Sequence, residues 1–315
     1  MNKPSLADYF QLHFLVLIWG FTAILGKLLA PLDSSAVVLF RTALAVIGMG
    51  FVLYVRRQRV AVPSADRWRL LATGGVIALH WILFFGAARL ANVSVCLAGM
   101  ATSSLWASVL EPLLLRRRVR LVEVVLGAVV MAGLYLIFRF EFDKVAGLVA
   151  AVLSAMLSAL FTIINSRFTQ RYDALVISFY EMIGASVGAL GMWLVVQAID
   201  STDAGRAVQY VPHAPMQWLW LLLLSLVCTV YAYSAGVRLL RKFSPYMAIL
   251  TVNLEPVYGI LLAVLIFGDT ERMTPGFYVG TLVILAAVLT YPFLNHRLNR
   301  RAPTRPADVT TPGGL

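Results

Sequence analysis

Charge is scarce in this chain. Only 13% of its 315 residues are Asp, Glu, Lys or Arg, against 60% that are hydrophobic. So few charges cannot coat a water-soluble surface, and one core cannot hold that much apolar side chain, so a soluble globular class is excluded. Cysteine is scarcer still. Cys96 and Cys228 both lie in apolar stretches, have no metal-type spacing, are too few for a disulfide framework, and read as small buried hydrophobes. The four histidines have no ligand spacing, so no metal and no cofactor is expected. No phosphate-cradling loop of the Walker type occurs, which removes a self-contained ATP-driven pump. Paired acidic motifs and Ser/His constellations are also missing, which leaves a membrane-embedded enzyme as a remote alternative. The first apolar block is long and lacks a small-residue cleavage site, so it is expected to stay as a span rather than leave as a signal peptide.

What the chain has instead is apolar blocks of roughly 20 residues, the length a helix needs to cross ~30 Å of hydrocarbon. They predict spans near residues 11–30, 35–55, 70–88, 92–114, 121–138, 145–166, 174–198, 217–237, 244–267 and 275–294. Backbone groups cannot go unpaired in lipid, and the blocks are too long and unalternating for barrel strands, so the class is all-α integral membrane with ten helices. The formal charge of +11 sits in short clusters between blocks rather than along a stripe, which argues for topology signals and against nucleic acid. Of the 26 Lys and Arg, Lys27 and Arg41 fall inside spans, and Arg89, Arg139, Lys144, Arg206 and Arg272 fall on one side, leaving nineteen in the connections on the side of the N-terminus. That asymmetry puts both termini in the cytoplasm. The Pro-containing tail is expected to be disordered.

The two halves resemble each other. Asp33 to Arg41 (DSSAVVLFR) has the spacing of Asp173 to Glu181 (DALVISFYE), each opening the second span of its half. Glu111-Pro112 echoes Glu255-Pro256, and Gly127 echoes Gly280, although the distance from Glu-Pro to Gly differs between the halves. Five spans per half is an odd number, so the second half enters the membrane from the opposite side, giving two inverted five-helix repeats. The expected division is 1–140, 141–296 and a tail over 297–315. Inverted repeats suit alternating access, because the halves can exchange conformations around a central site.

The order of several short motifs resembles the EamA-like transporters of the drug/metabolite transporter superfamily: Trp19-Gly20 then Lys27, Phe40-Arg41, Phe267-Gly268-Asp269, then Glu271 and Gly280. The resemblance covers roughly residues 11–294. It implies two EamA domains in the inner membrane of a bacterium, moving amino acids, other metabolites or drugs, with export implied by the resemblance alone. The chain departs from the family in having Gly268-Asp269 where Gly-Glu is frequent, and a run Arg116-Arg117-Arg118 in the first half.

An ionisable group inside a span costs roughly 2.5 to 3.5 kcal/mol on insertion scales, so each is a functional candidate unless it reaches the interface. Glu255 leads, with Pro256 beside it and Asn253 two residues earlier, as a partner for a substrate amine or a coupling proton, set against a structural Glu paired to a neighbouring helix. Arg41 offers a planar fork for a carboxylate and Glu181 a gate or partner facing it, or the two form a static ion pair. His80 is a proton relay or an interhelical hydrogen bond. Trp19, Tyr258, Trp106, Tyr180 and Tyr231 are candidates for an aromatic lining or for packing. Lys27, on about the face of Trp19, lines a vestibule or snorkels. Gly184 with Gly188, Gly276 with Gly280, and Ala151, Ala155 and Ala159 have the four-residue spacing of close helix contacts, within a monomer or across a homodimer. The predicted function is secondary transport of a small-molecule substrate in a lipid bilayer, proton-coupled or as an uncoupled facilitator, with a channel as the alternative.

Overall fold

In the computed structural model, residues 4–116, 121–200 and 208–301 are described, and among them every regular element is helical. Helices α1 (Leu6–Leu28), α2 (Ser34–Val55) and α3 (Ser64–Leu90) are followed by a broken pass, α4 (Val93–Met100) and α5 (Ser103–Leu115). Then come α6 (Leu121–Phe140), α7 (Val145–Phe168) and α8 (Ala174–Asp200). The next pass joins α9 (Pro215–Leu222) to α10 (Ala232–Leu239) through a π-helical segment, Leu223–Tyr231. A second broken pass, α11 (Pro245–Val252) and α12 (Glu255–Phe267), precedes α13 (Pro275–Arg301). Among the described residues eight passes are long and apolar enough to cross a membrane, while α6 and α13 contribute the shorter apolar stretches Val125–Ile137 and Pro275–Ala287.

Helix starts follow from local chemistry. Ser5 and Asp8 form a reciprocal capping box at α1. Asp33 accepts the Ser35 N–H at 2.7 Å and Asp173 accepts the Leu175 N–H at 2.8 Å, so the matched segments of the two halves begin their helices with the same cap. Pro245 and Pro275 open α11 and α13, where a missing N–H costs nothing. The expected tail begins inside α13, which runs on to Arg301. Residues 1–3 and 302–315, and with them Lys3 as well as Arg117, Arg118, Arg120 and Arg206 of the charge count, lie outside the described residues.

Small residues set the packing. A Cβ on Gly74 would strike the Glu181 carbonyl of α8, and one on Gly184 would strike the Leu71 carbonyl of α3, so these helices touch through backbone. A Cβ on Gly280 would lie 2.7 Å from the Gly133 carbonyl, which locks α13 to α6 in the same way. Ala151, Ala155 and Ala159 are wholly buried. The small-residue pattern is therefore spent within the chain. Outside it, Phe10, Phe51, Tyr54, Leu113, Leu265 and Leu282 stand exposed as an apolar sheath.

The two breaks correct the repeat alignment. α4 and α11 each have eight residues, and α5 and α12 each have thirteen. Ser103, the first residue of α5, is thus the counterpart of Glu255, the first residue of α12. Glu111-Pro112, deep in α5, is not the counterpart of Glu255-Pro256. The Glu-Pro dipeptide drew the alignment to the wrong turn, which is why its distance to Gly127 disagreed with the distance to Gly280.

Candidate functional site

A cavity of about 120 Å³ lies where α1, α2, α3, α7, α10 and the two broken passes meet. Arg41, His80, Glu255 and Trp19 line it, together with Trp81, Phe84, Phe161, Tyr233, Met100 and Ser103. Most of the wall is apolar or aromatic, and the polar groups are few and placed, as in a small-molecule site.

Arg41 is carried by α2 and is 2% exposed. Its Nε donates to Thr229 Oγ1 at 2.8 Å, and its guanidinium carbon sits 3.7 Å from the Trp81 ring centroid. Thr229 can accept because its own proton goes to the Leu224 carbonyl at 2.9 Å, a five-residue reach that the π-helical segment provides. Stacked on one face and pinned at Nε, the guanidinium keeps its two terminal nitrogens unbonded among the described residues. Glu255 begins α12 after the turn at Asn253 and Leu254. It is 6% exposed, lines the same cavity, and its carboxylate has no hydrogen bond or ion pair among the described residues. The cavity thus holds a cation and an acid that are not joined to each other.

The remaining expected residues divide. His80 lines the cavity but its Nδ1 lies 2.9 Å from the Ser154 carbonyl, and the Ser154 hydroxyl donates to the His80 carbonyl at 2.9 Å. His80 thus makes the interhelical hydrogen bond through Nδ1. Glu181 does not face Arg41 and makes no ion pair with it. It is wholly buried behind the wall, where Oε2 accepts from Tyr233 Oη at 2.8 Å and from Asn165 Nδ2 at 3.3 Å, both cavity-lining residues. Its other oxygen has no partner among the described residues. Asn253 is one layer back as well, with Oδ1 accepting from Ser103 Oγ at 2.8 Å, so the two breaks are tied to each other. Tyr258 packs beside Gly20 of α1, off the cavity. Trp106, Tyr180 and Tyr231 are also absent from the lining.

Lys27 is absent from the cavity lining and meets a charge at the end of its span. Its Nζ lies 2.8 Å from Glu271 and 2.9 Å from Thr270 Oγ1. Glu271, Thr229, Asn165, Tyr233 and Ser154 were not foreseen as site-forming residues. Threonine and serine return their hydroxyl protons to helix carbonyls and carry no hydropathy penalty, so they leave no signal. Glu271 lies just past an apolar block and reads as a loop charge.

The model of the EamA-like transporter family matches residues 9–139 and again residues 145–291. No curated protein matches the chain. Among solved structures that resemble it, a crystal structure described only as that of a protein superposes with a TM-score of 0.67, covering 92% of this chain and 99% of that one at 16% identity. That likeness is one of fold.

Proposed function

The chain belongs to the EamA-like transporter family, and from that premise we propose that it is a secondary carrier that moves a small metabolite by alternating access through the cavity between its halves. It is a multi-pass membrane transporter of the drug/metabolite type. In this reading all ten passes cross the bilayer, α6 and α13 included, as inverted repeats over 1–140 and 141–296, with both termini cytoplasmic. The excess of Lys and Arg on the N-terminal side supports that orientation. The equal lengths of the broken passes support the repeat. A bacterial inner membrane and outward transport follow from the family resemblance.

One observation carries the reading: Arg41 and Glu255 face one cavity, the two terminal nitrogens of the guanidinium and the Glu255 carboxylate without a hydrogen bond among the described residues. An unpaired charge in a bilayer is retained where a ligand or an ion uses it. A carboxylate fits the Arg41 fork, and a cationic nitrogen or a coupling proton fits Glu255, with the apolar body of an amino acid, related compound or drug against the aromatic wall. A channel is disfavoured because the cavity lining does not continue to the end of the bundle where α1 stops.

The test is the full-length protein in liposomes, offered labelled amino acids and other small metabolites with and without a pH gradient. Saturable flux with counterflow, lost in Arg41→Ala, is the expected result. Flux that never saturates makes it a channel, and saturable flux indifferent to the gradient makes it a facilitator. Transport of none of the compounds under either condition sinks the carrier reading.

A further inference from the structure

Helix α1 is fastened at both ends to the other half of the chain, and each fastening reaches the start of one eight-residue half-helix. At the end where α1 begins, Lys242 in the turn before α11 donates to both carboxylate oxygens of Asp8, at 2.7 and 2.9 Å. At the end where α1 stops, Lys27 meets Glu271, which follows α12. Glu271 also accepts from the Val93 N–H at 3.2 Å, the Ser94 N–H at 2.9 Å and the Ser94 hydroxyl at 3.0 Å. It therefore sits on the N-terminus of α4, where the helix dipole favours a carboxylate.

The two fastenings differ in depth. The Glu271 side chain is 0% exposed and that of Lys27 is 27% exposed, whereas Lys242 and Asp8 are 41% and 11% exposed. A third cross-half pair, Arg171 with Asp66 at 3.6 Å, lies at the same end as Asp8 and is 69% exposed on the arginine. Exposed pairs contribute little. A wholly buried carboxylate with four donors does not part without a replacement. The cavity follows the same gradient, since its lining runs to Leu12, Leu240 and Ala248 beside the weaker fastening and stops short of Glu271.

We propose that these pairs are the two latches of the transport cycle: Lys27–Glu271 on α4 holds the mouth opposite the termini shut, and Asp8–Lys242 secures the mouth on the terminal side. Each latch grips the first segment of a broken pass. The turns at Ala101–Thr102 and Asn253–Leu254 are the points about which α4 and α11 swing when a latch parts. The proposal rests on the carrier reading, because a protein that does not alternate has no use for two latches of unequal strength.

The experiment places one reporter thiol in the cavity, Ser158→Cys on α7, in a full-length background with Cys96→Ala and Cys228→Ala. It is reconstituted with known orientation, and a membrane-impermeant maleimide is added to one face at a time. Lys27→Met and Glu271→Gln each raise the labelling rate from the face opposite the termini, roughly fivefold or more, the low end of ordinary coupling between sites. Asp8→Asn raises it from the terminal face and not from the other. Lys27→Met leaves Glu271 on its three α4 donors, so it remains informative if Glu271→Gln fails to fold. Unchanged labelling from the far face in a folded Lys27→Met protein overturns the latch. Labelling requires no substrate. If it shifts as expected while no compound is transported, the carrier reading has failed, and what stands is that the Lys27–Glu271 pair shuts that face of the cavity. Intact transport with unshifted labelling is the reverse.

Discussion

The first and second halves of the chain start their second helices alike, with Asp33 and Asp173 accepting the same N–H two residues on, and then use the next ionisable residue differently. Arg41 on α2 looks into the cavity, whereas Glu181 on α8 is turned behind Tyr233 and Asn165. The broken passes repeat the contrast, since Ser103 and Glu255 open helices of thirteen residues at corresponding places, one neutral and one acidic. Backbone has been duplicated and charge has not. The cavity therefore receives its cation from one half and its acid from the other, so a dipolar ligand bound there would have one favoured orientation in a pseudo-symmetric frame.

The comparison breaks first at Arg41. Arg41→Ala removes two charge-assisted hydrogen bonds to a ligand anion, each worth about 1.5 to 3 kcal/mol, so transport efficiency falls about 100-fold or more. Arg41→Lys keeps the charge but loses the fork, and initial-rate measurements should place it nearer to Ala than to the parent protein. Equal rates for Lys and Arg would show that only charge matters at this position.

Next in size is the contrast between the two helix starts. Glu255→Gln costs about tenfold in efficiency, the worth of one charged hydrogen bond, and flattens the pH profile if the carboxylate carries the coupling proton. Ser103→Ala, at the corresponding place, loses only a neutral bond to Asn253 and costs less than about threefold. Full pH-dependent transport by Glu255→Gln would remove that residue from coupling. A larger loss from Ser103→Ala than from Glu255→Gln would mean that the tie between the breaks matters more than the acid.

Much of this architecture was legible in hydropathy and little of its chemistry was. Apolar runs of membrane length mark the eight passes that are long and apolar enough to cross a membrane, because lipid enforces length and apolarity along the whole run, whereas α6 and α13 hold only shorter apolar stretches. The breaks at Ala101–Thr102 and Asn253–Leu254 escaped, since a single tightened turn leaves hydropathy unchanged, and the proline that looked like a marker, Pro112, lies well inside α5. Arg41 and Glu255 were found because their insertion cost is large. The partner of Lys27 escaped for the complementary reason: Glu271 lies 244 residues away in the chain, and spacing says nothing about such a contact.

Thr229→Val sharpens the comparison at smaller amplitude. Valine keeps the shape but no longer accepts from Arg41 Nε, which frees the guanidinium to rotate on Trp81. The half-saturation concentration should rise about fivefold with little change in the maximal rate, because only pre-organisation of the fork is lost. The opposite split, a reduced maximal rate at unchanged half-saturation, would make Thr229 part of the moving machinery instead.

The smallest effect on transport is expected at Tyr233. Its hydroxyl donates to Glu181 at 2.8 Å, and the carboxylate's other donor, Asn165, is longer at 3.3 Å. Tyr233→Phe therefore leaves a buried acid with one weak bond, a penalty of about 1 to 3 kcal/mol that is paid in the fold. Thermal unfolding in detergent should move down by a few degrees, following the size scaling of unfolding entropy. The half-saturation concentration should shift less than in Thr229→Val, because Glu181 supports the cavity wall and Arg41 does the gripping. If Tyr233→Phe instead weakens substrate binding as much as Arg41→Lys while leaving the melting temperature alone, then Glu181 reaches the ligand through Tyr233. The two halves would in that case contribute to the site more equally than their side chains suggest.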